Sequence, residues 1–224
     1  MTSLTIEQKR VDIYPSAKPG SPVIYLNTFS NAVNSVYKNL MALGCPDFCL
    51  VAVSQLKWDH DMTPWYMGPI SKHDTPCTGG ADDYLKLLLD EIMPEAEALL
   101  PGAPAWRGLA GYSLAGLFAL WASTQTDLFY GVAAASPSVW FPDWMEFEQQ
   151  RPIQTQHIYL SLGDKEEHTK NAVMAVVGDN IRTLHSRLAE RGADCTLEWN
   201  SGGHFKDADL RTARAFRWAM ADMR

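Results

Sequence analysis

Residues 106–123 read Trp-Arg-Gly-Leu-Ala-Gly-Tyr-Ser-Leu-Ala-Gly-Leu-Phe-Ala-Leu-Trp-Ala-Ser. The stretch opens as an apolar strand over 106–110. It turns through Gly111-Tyr112-Ser113-Leu114-Ala115-Gly116 and continues as an apolar helix over 117–123. Strand, tight turn and helix with a central serine is the context of a nucleophile elbow. The sharp turn forces its central residue into strained dihedrals, so the positions two before and two after it must be small. Gly111 and Ala115 fill them, with alanine where the usual pattern has glycine. Ser113 then stands above a sheet at the start of a helix, whose first N–H groups face developing negative charge. Small residues also serve plain close packing of a strand on a helix. The surrounding pattern favours the catalytic reading.

Outward from this stretch, strand-length apolar runs alternate with helical periodicity. Strands are predicted over 5–14, 23–26, 48–53, 106–110, 131–135, 157–162 and 195–199. Several are continuous runs, as in strands covered on both faces. Helices are predicted over 82–100 with a kink at Pro94, over 173–191 closed by Gly192, and over 210–223. The alternation implies an α/β fold with a mostly parallel central sheet flanked by helices, the first strand pairing antiparallel at an edge. Residues 1–224 read as one domain with no separate lid domain, and ligands are expected at the carboxyl ends of the strands.

Those ends carry the remaining chemistry. A serine nucleophile needs a base, and the base needs an orienting acid. The strand over 157–162 opens into Gly163-Asp164-Lys165-Glu166-Glu167-His168. The last strand opens into Asn200-Ser201-Gly202-Gly203-His204-Phe205. The order serine, acid, histidine fits this fold. His204 is the expected base, because two glycines let its loop turn back over the site. His60, His73, His157, His168 and His185 read as solvated or structural. Glu166 is favoured as the acid, Asp164 is second and Glu167 third. An oxyanion hole would take one N–H from Leu114 and another from the loop Asn27-Thr28-Phe29-Ser30, either Thr28 or Phe29. Trp58, Trp65, Tyr66, Trp140, Phe141 and Trp144 fall in loops over the sheet. Trp58, Asp61, Trp65 and Trp140 are the expected substrate contacts. Asp59, His60 and Asp61 would bind an acyl or alcohol group in preference to a metal.

The 224 residues carry 19 basic and 26 acidic side chains, a formal net charge of −7. This counts against nucleic acid or an anionic membrane as partner. No apolar run reaches the length of a membrane span, and the polar N-terminus lacks the core of a secretory signal. Scattered Cys45, Cys49, Cys77 and Cys195 read as reduced packing thiols, so the cytoplasm is the expected compartment.

The residues taken together resemble the "putative esterase" family of α/β-hydrolases, which includes esterase D and the ferri-enterobactin esterases. The resemblance runs from about Val11 to Met223. It rests on Gly-Tyr-Ser-Leu-Ala-Gly, Asp61-Met62-Thr63-Pro64-Trp65, Ala135-Ser136-Pro137-Ser138-Val139-Trp140 and Leu162-Gly163-Asp164-Lys165-Glu166. It implies Ser113 as nucleophile, His204 as base and an acid in the Gly-Asp-Lys-Glu loop, siderophore esterases leaning more on a Ser–His pair. The loop after Leu26 departs from the family's frequent His-Gly pattern. Family members act on siderophore, feruloyl, acetyl and S-formylglutathione esters or transfer acyl groups, so the fold does not name the substrate. The leading expectation is a serine carboxylester hydrolase without cofactor or metal, acting on a small-molecule ester. Acyl transfer on the same triad and a non-catalytic binding module with an aromatic pocket are the alternatives. Monomer and homodimer both remain open.

Overall fold

The computed structural model describes residues 1–29, 32–72 and 74–221. Ser30, His73 and the predicted helix end at Met223 lie outside them. Ten strands form in chain order: β1 (Thr2–Ile6), β2 (Lys9–Tyr14), β3 (Val23–Asn27), β4 (Cys49–Ser54), β5 (Tyr66–Met67), β6 (Cys77–Thr78), β7 (Arg107–Tyr112), β8 (Gly131–Ala135), β9 (His157–Gly163) and β10 (Asp194–Asn200). The α-helices are α1 (Val33–Ala42), α2 (Trp58–Asp61), α3 (Ala81–Leu87), α4 (Met93–Glu97), α5 (Leu114–Gln125), α6 (Trp144–Gln150), α7 (Ala172–Ala175), α8 (Val177–Glu190) and α9 (Ala208–Ala221).

Eight strands make one sheet in the order β1-β2-β4-β3-β7-β8-β9-β10. From β4 through β10 neighbours run parallel, while β1–β2 and β2–β4 are antiparallel. The parallel part needs cover on both faces, and the side chains show it. Leu26, Ala52, Ala110, Ala133 and Tyr159 point to one side, where Val36 and Leu40 of α1 meet Phe216 and Met220 of α9. Their chain neighbours Tyr25, Val51, Leu109, Val132 and Leu160 point to the other, against α3, α5 and α8. Each large apolar side chain buried this way contributes about 1.5–3 kcal/mol. Residues 114–124 of α5 are buried all round, as an apolar helix without a polar face must be.

Several predicted elements differ. Residues 5–14 are not one strand but the hairpin β1–β2. It turns at Glu7 and Gln8, which both hold positive φ (44° and 65°), the backbone such a turn needs even without its usual Asn-Gly. The predicted 82–100 helix is α3 and α4 joined by a π-helical turn at Leu88–Ile92. That turn widens the ladder just before Pro94, which cannot donate. The predicted 173–191 helix is split into α7 and α8 at Val176, and Gly192 ends it at φ 84°. α1, α6 and the small β5–β6 ribbon carry no element in the sequence reading.

Candidate active site

At the end of β7, Ser113 adopts φ 60° and ψ −124° and then becomes the N-cap of α5. A non-glycine residue in that conformation costs on the order of 1–3 kcal/mol, so its surroundings must hold it. They do so through the Ser113 N–H donating to Ala135 O (3.2 Å) and Leu117 N–H donating to Ser113 O (3.0 Å). A Cβ on Gly111 would sit 2.3 Å from Ala115 O and 2.7 Å from the Ala115 methyl. The missing side chain at 111 therefore makes room for alanine at 115.

His204 lies above this turn. Its Nε2 is 3.0 Å from Ser113 Oγ and its Nδ1 is 2.7 Å from Glu166 Oε2. The second carboxylate oxygen, Oε1, accepts from Gly163 N–H (2.8 Å) and Ser136 Oγ–H (2.9 Å). Burial alone would raise the Glu166 carboxyl. The His204 hydrogen bond and charge, with the Gly163 and Ser136 donors, outweigh it and hold Glu166 below the usual carboxylate range. The other two acids of the loop are bound elsewhere. Asp164 accepts from Gly202 N–H (2.7 Å) and so ties the acid loop to the histidine loop. Glu167 forms a forked pair with Arg182 (both contacts 2.8 Å).

Gly163 is where these loops touch. A Cβ there would fall 2.2 Å from Gly202 O and 2.9 Å from Glu166 Oε1. Gly163→Ala is expected to lose about 2–3 kcal/mol by overpacking, or roughly 5–10 °C in Tm, with a large loss of activity. Thermal unfolding beside an ester assay checks this; an unchanged Tm would remove the packing argument.

Around Ser113 the first N–H groups of α5 have no intrahelical acceptor, and Leu114 N–H makes no backbone bond among the described residues. On the facing loop Thr28 N–H donates to Val53 O at 3.0 Å and extends the β3–β4 pairing. Thr28, one of the two loop residues expected to donate, thus has no free backbone N–H, which corrects that half of the expectation. Phe29 N–H carries no hydrogen bond among the described residues.

Ser113, His204 and Leu114 open onto a cavity of ≈ 780 Å³. Trp58, Met67, Ile70, Trp140 and Met174 supply apolar wall, and Phe205, 93% exposed, stands at its edge beside His204. Cys77 also faces it, but burial pushes its thiol up to about 11, so it stands there as neutral wall. Two expected substrate contacts do not reach this cavity. Asp61 is buried, ion-paired with Lys9 and bonded to Lys57 N–H (2.7 Å), because α2 turns its carboxylate toward β2. Trp65 is turned away by the β5–β6 ribbon, packs on Phe141 and Phe147, and donates from Nε1 to Pro142 O (3.0 Å). Among the other histidines, His60 contacts Thr78 Oγ1 (2.7 Å), His157 contacts Asp194 (3.2 Å), His185 contacts Cys195 O (3.2 Å) and His168 sits in a short 3₁₀ turn.

Three residues at the site carried no individual role in the sequence reading. Ser136, held at φ 41°, donates to Glu166; Ser138 Oγ lies 3.5 Å from Ser113 Oγ; and Arg211 of α9 reaches in from behind. The signal for the serines is the Ser-Pro-Ser turn after β8. Arg211 has none, being one charged residue in an amphipathic helix.

A sequence model of the "Putative esterase" family matches residues 10–208. The ferri-bacillibactin esterase BesA of Bacillus subtilis is 28% identical over 158 residues, covering 65% of this chain and 53% of BesA, so the match spans about half of that protein. Among solved structures, the siderophore hydrolase EstA of Aspergillus nidulans aligns with TM-score 0.77 at 18% identity, covering 98% of this chain and 93% of that one. An IroE-like serine hydrolase of Shewanella oneidensis aligns with TM-score 0.79 at 17% identity, covering 98% and 79%. At such identities the structures speak for the fold, and the family match covers most of the chain. The chain belongs to the "Putative esterase" family, serine carboxylester hydrolases on the α/β-hydrolase fold.

Proposed function

We propose that this chain cleaves a siderophore ester through an acyl-enzyme on Ser113. The observation that carries the mechanism is the continuous chain from Ser113 Oγ through His204 to Glu166 (3.0 and 2.7 Å), with the serine held in elbow geometry. Ser113 Oγ attacks the ester carbonyl carbon while its proton passes to His204 Nε2. Leu114 N–H and Phe29 N–H receive the oxyanion. The tetrahedral species collapses, the C–O bond to the alcohol breaks, and His204 returns the proton to the leaving oxygen. Water, deprotonated by the same nitrogen, then releases the acid and restores Ser113. Glu166 keeps Nδ1 protonated and opposite the imidazolium charge. The siderophore reading is supported by what BesA and EstA are described as hydrolysing, and by a wide apolar cavity with Trp58 and Trp140 in its wall. No helix among the described residues is long and apolar enough to cross a membrane.

A fluorophosphonate probe mapped by mass spectrometry, followed by turnover of siderophore, aryl and acetyl esters, tests both parts. A Ser113 adduct with preference for siderophore esters is the expected result. A folded protein without an adduct rejects the mechanism, and an adduct with preference for acetyl esters rejects the substrate.

The second oxyanion donor has its own test. The Phe29 side chain is 65% exposed, so Phe29→Pro deletes the N–H with little buried surface lost. The expected loss is about 10²–10³ in kcat, while Phe29→Ala, which keeps the N–H, stays close to wild type. Equal kcat in both variants would assign the oxyanion elsewhere.

A further inference from the structure

Behind the acid stands a buried cation. Arg211 is 2% exposed, and its only ionic partner among the described residues is Glu166, with Nη1 3.3 Å from Oε1. The same nitrogen donates to Tyr112 Oη (2.7 Å) and to Gly203 O (3.3 Å), and Tyr112 Oη–H donates to His204 O (2.6 Å). One guanidinium thus touches the acid, the elbow strand and, at Gly203 O, the histidine loop, with Tyr112 linking it on to His204 O. Nε and Nη2 are buried without a hydrogen-bond partner among the described residues, and Gly163 has no side chain where a Cβ would stand 2.4 Å from Nη2. A buried arginine with unpaired donors is poor as a stabilising device, since a packed apolar side chain would serve at least as well. Its charge therefore needs another explanation, and the catalytic acid is the group it faces.

We propose that Arg211 is a positioning residue that tempers the charge of Glu166, so that the carboxylate orients His204 without locking it as an imidazolium. The inference rests on the Ser113–His204–Glu166 reading above. The guanidinium sits on Oε1, the far side of the carboxylate whose Oε2 faces His204 Nδ1, and so opposes the charge that Glu166 presents to the imidazole. Among the described residues, the other charged or titratable groups facing His204 and its loop are Lys165 from the acid loop, Tyr112 from β7, Asp164 against Gly202, Lys206 folded over Gly202, Arg214 of α9 against Asn200, and Asp59 and Asp74 across the cavity. None of them touches Glu166 Oε1, whose contacts are Arg211, Gly163 and Ser136.

The test is the rate of Ser113 labelling by a fluorophosphonate between about pH 5 and 9, where a histidine base titrates. In Arg211→Gln the acid limb is expected to move up by about one pH unit, roughly a tenfold slower labelling on the acid side, with Arg211→Lys returning it toward wild type. A limb that stays in place in folded Arg211→Gln, or moves down, overturns the inference while leaving the triad intact. Absence of labelling in the wild type fails the triad itself. Should Arg211→Gln not fold, the wild type reads the same coupling. The Arg211 guanidinium resonances in ¹⁵N NMR are expected to shift with the midpoint of the labelling rate, and resonances indifferent to pH there overturn it.

Discussion

Ser113→Ala is expected to lower kcat by about 10⁴–10⁶-fold and to leave Tm nearly unchanged. The kinetic part follows from the proposed covalent catalysis, because no other hydroxyl among the described residues has the right neighbours. Ser138 Oγ is near at 3.5 Å, but among the described residues Ser113 alone is bonded to His204 Nε2 and stands next to the free N–H of Leu114. The stability part follows from the elbow being held by its surroundings. The backbone bonds from Ser113 N–H and to Ser113 O remain, and Gly111 still gives Ala115 its space. Alanine at φ 60° carries the same backbone strain as serine, so nothing is gained or lost there. Steady-state kinetics on the purified variant, with a thermal melt alongside, decide the matter. A variant within tenfold of wild type would mean that Ser113 is not the nucleophile; a large fall in Tm would mean that its hydroxyl is structural.

That this serine was legible at all is a matter of locality. The elbow is written into six consecutive residues whose sizes are fixed by backbone clashes, and Gly111 is needed for a contact four residues away. The parallel sheet was legible for a related reason, since runs such as Leu50-Val51-Ala52-Val53 have no polar face to give to solvent. Features decided by orientation were less so. The β1–β2 turn uses Glu7 and Gln8 at positive φ, a choice that local propensity disfavours. Thr28 and Phe29 are adjacent, and which one keeps a free N–H depends on how far β3 pairs with β4. Asp61 and Trp65 sit in the loop that builds the cavity wall, yet α2 and the β5–β6 ribbon turn both away from it. Arg211 has the helical spacing of a surface residue and becomes a site residue only because α9 packs against the sheet beneath Glu166.

Glu166→Gln is expected to lower kcat by about 10³–10⁴-fold and to move the acid limb of activity to lower pH. Gln keeps the size of the side chain and an oxygen for Gly163 N–H and Ser136 Oγ–H, so the loop can retain its shape. What changes is the group facing His204 Nδ1. In the proposed mechanism a carboxylate accepts there and fixes the proton on Nδ1, leaving Nε2 free to take the proton of Ser113. An amide that presents its NH₂ instead favours the opposite tautomer, with the proton on the wrong nitrogen. Loss of the negative charge also makes the imidazolium less favourable, hence the lower limb, opposite in sign to the shift expected for Arg211→Gln. The stability effect has a definite sign as well. The Glu166 carboxyl is held below its unfolded value, so its contribution to folding is full above the ordinary carboxylate range and is lost as the pH falls through the folded value. At neutral pH the variant lacks that contribution, and Arg211 is left as a buried cation without its ionic partner, which costs about 3 kcal/mol. The wild type and variant should therefore converge in stability in acid. The two kinetic shifts are the sharper discriminator: if Glu166→Gln and Arg211→Gln moved the limb the same way, Glu166 would not be acting as the charged partner of His204.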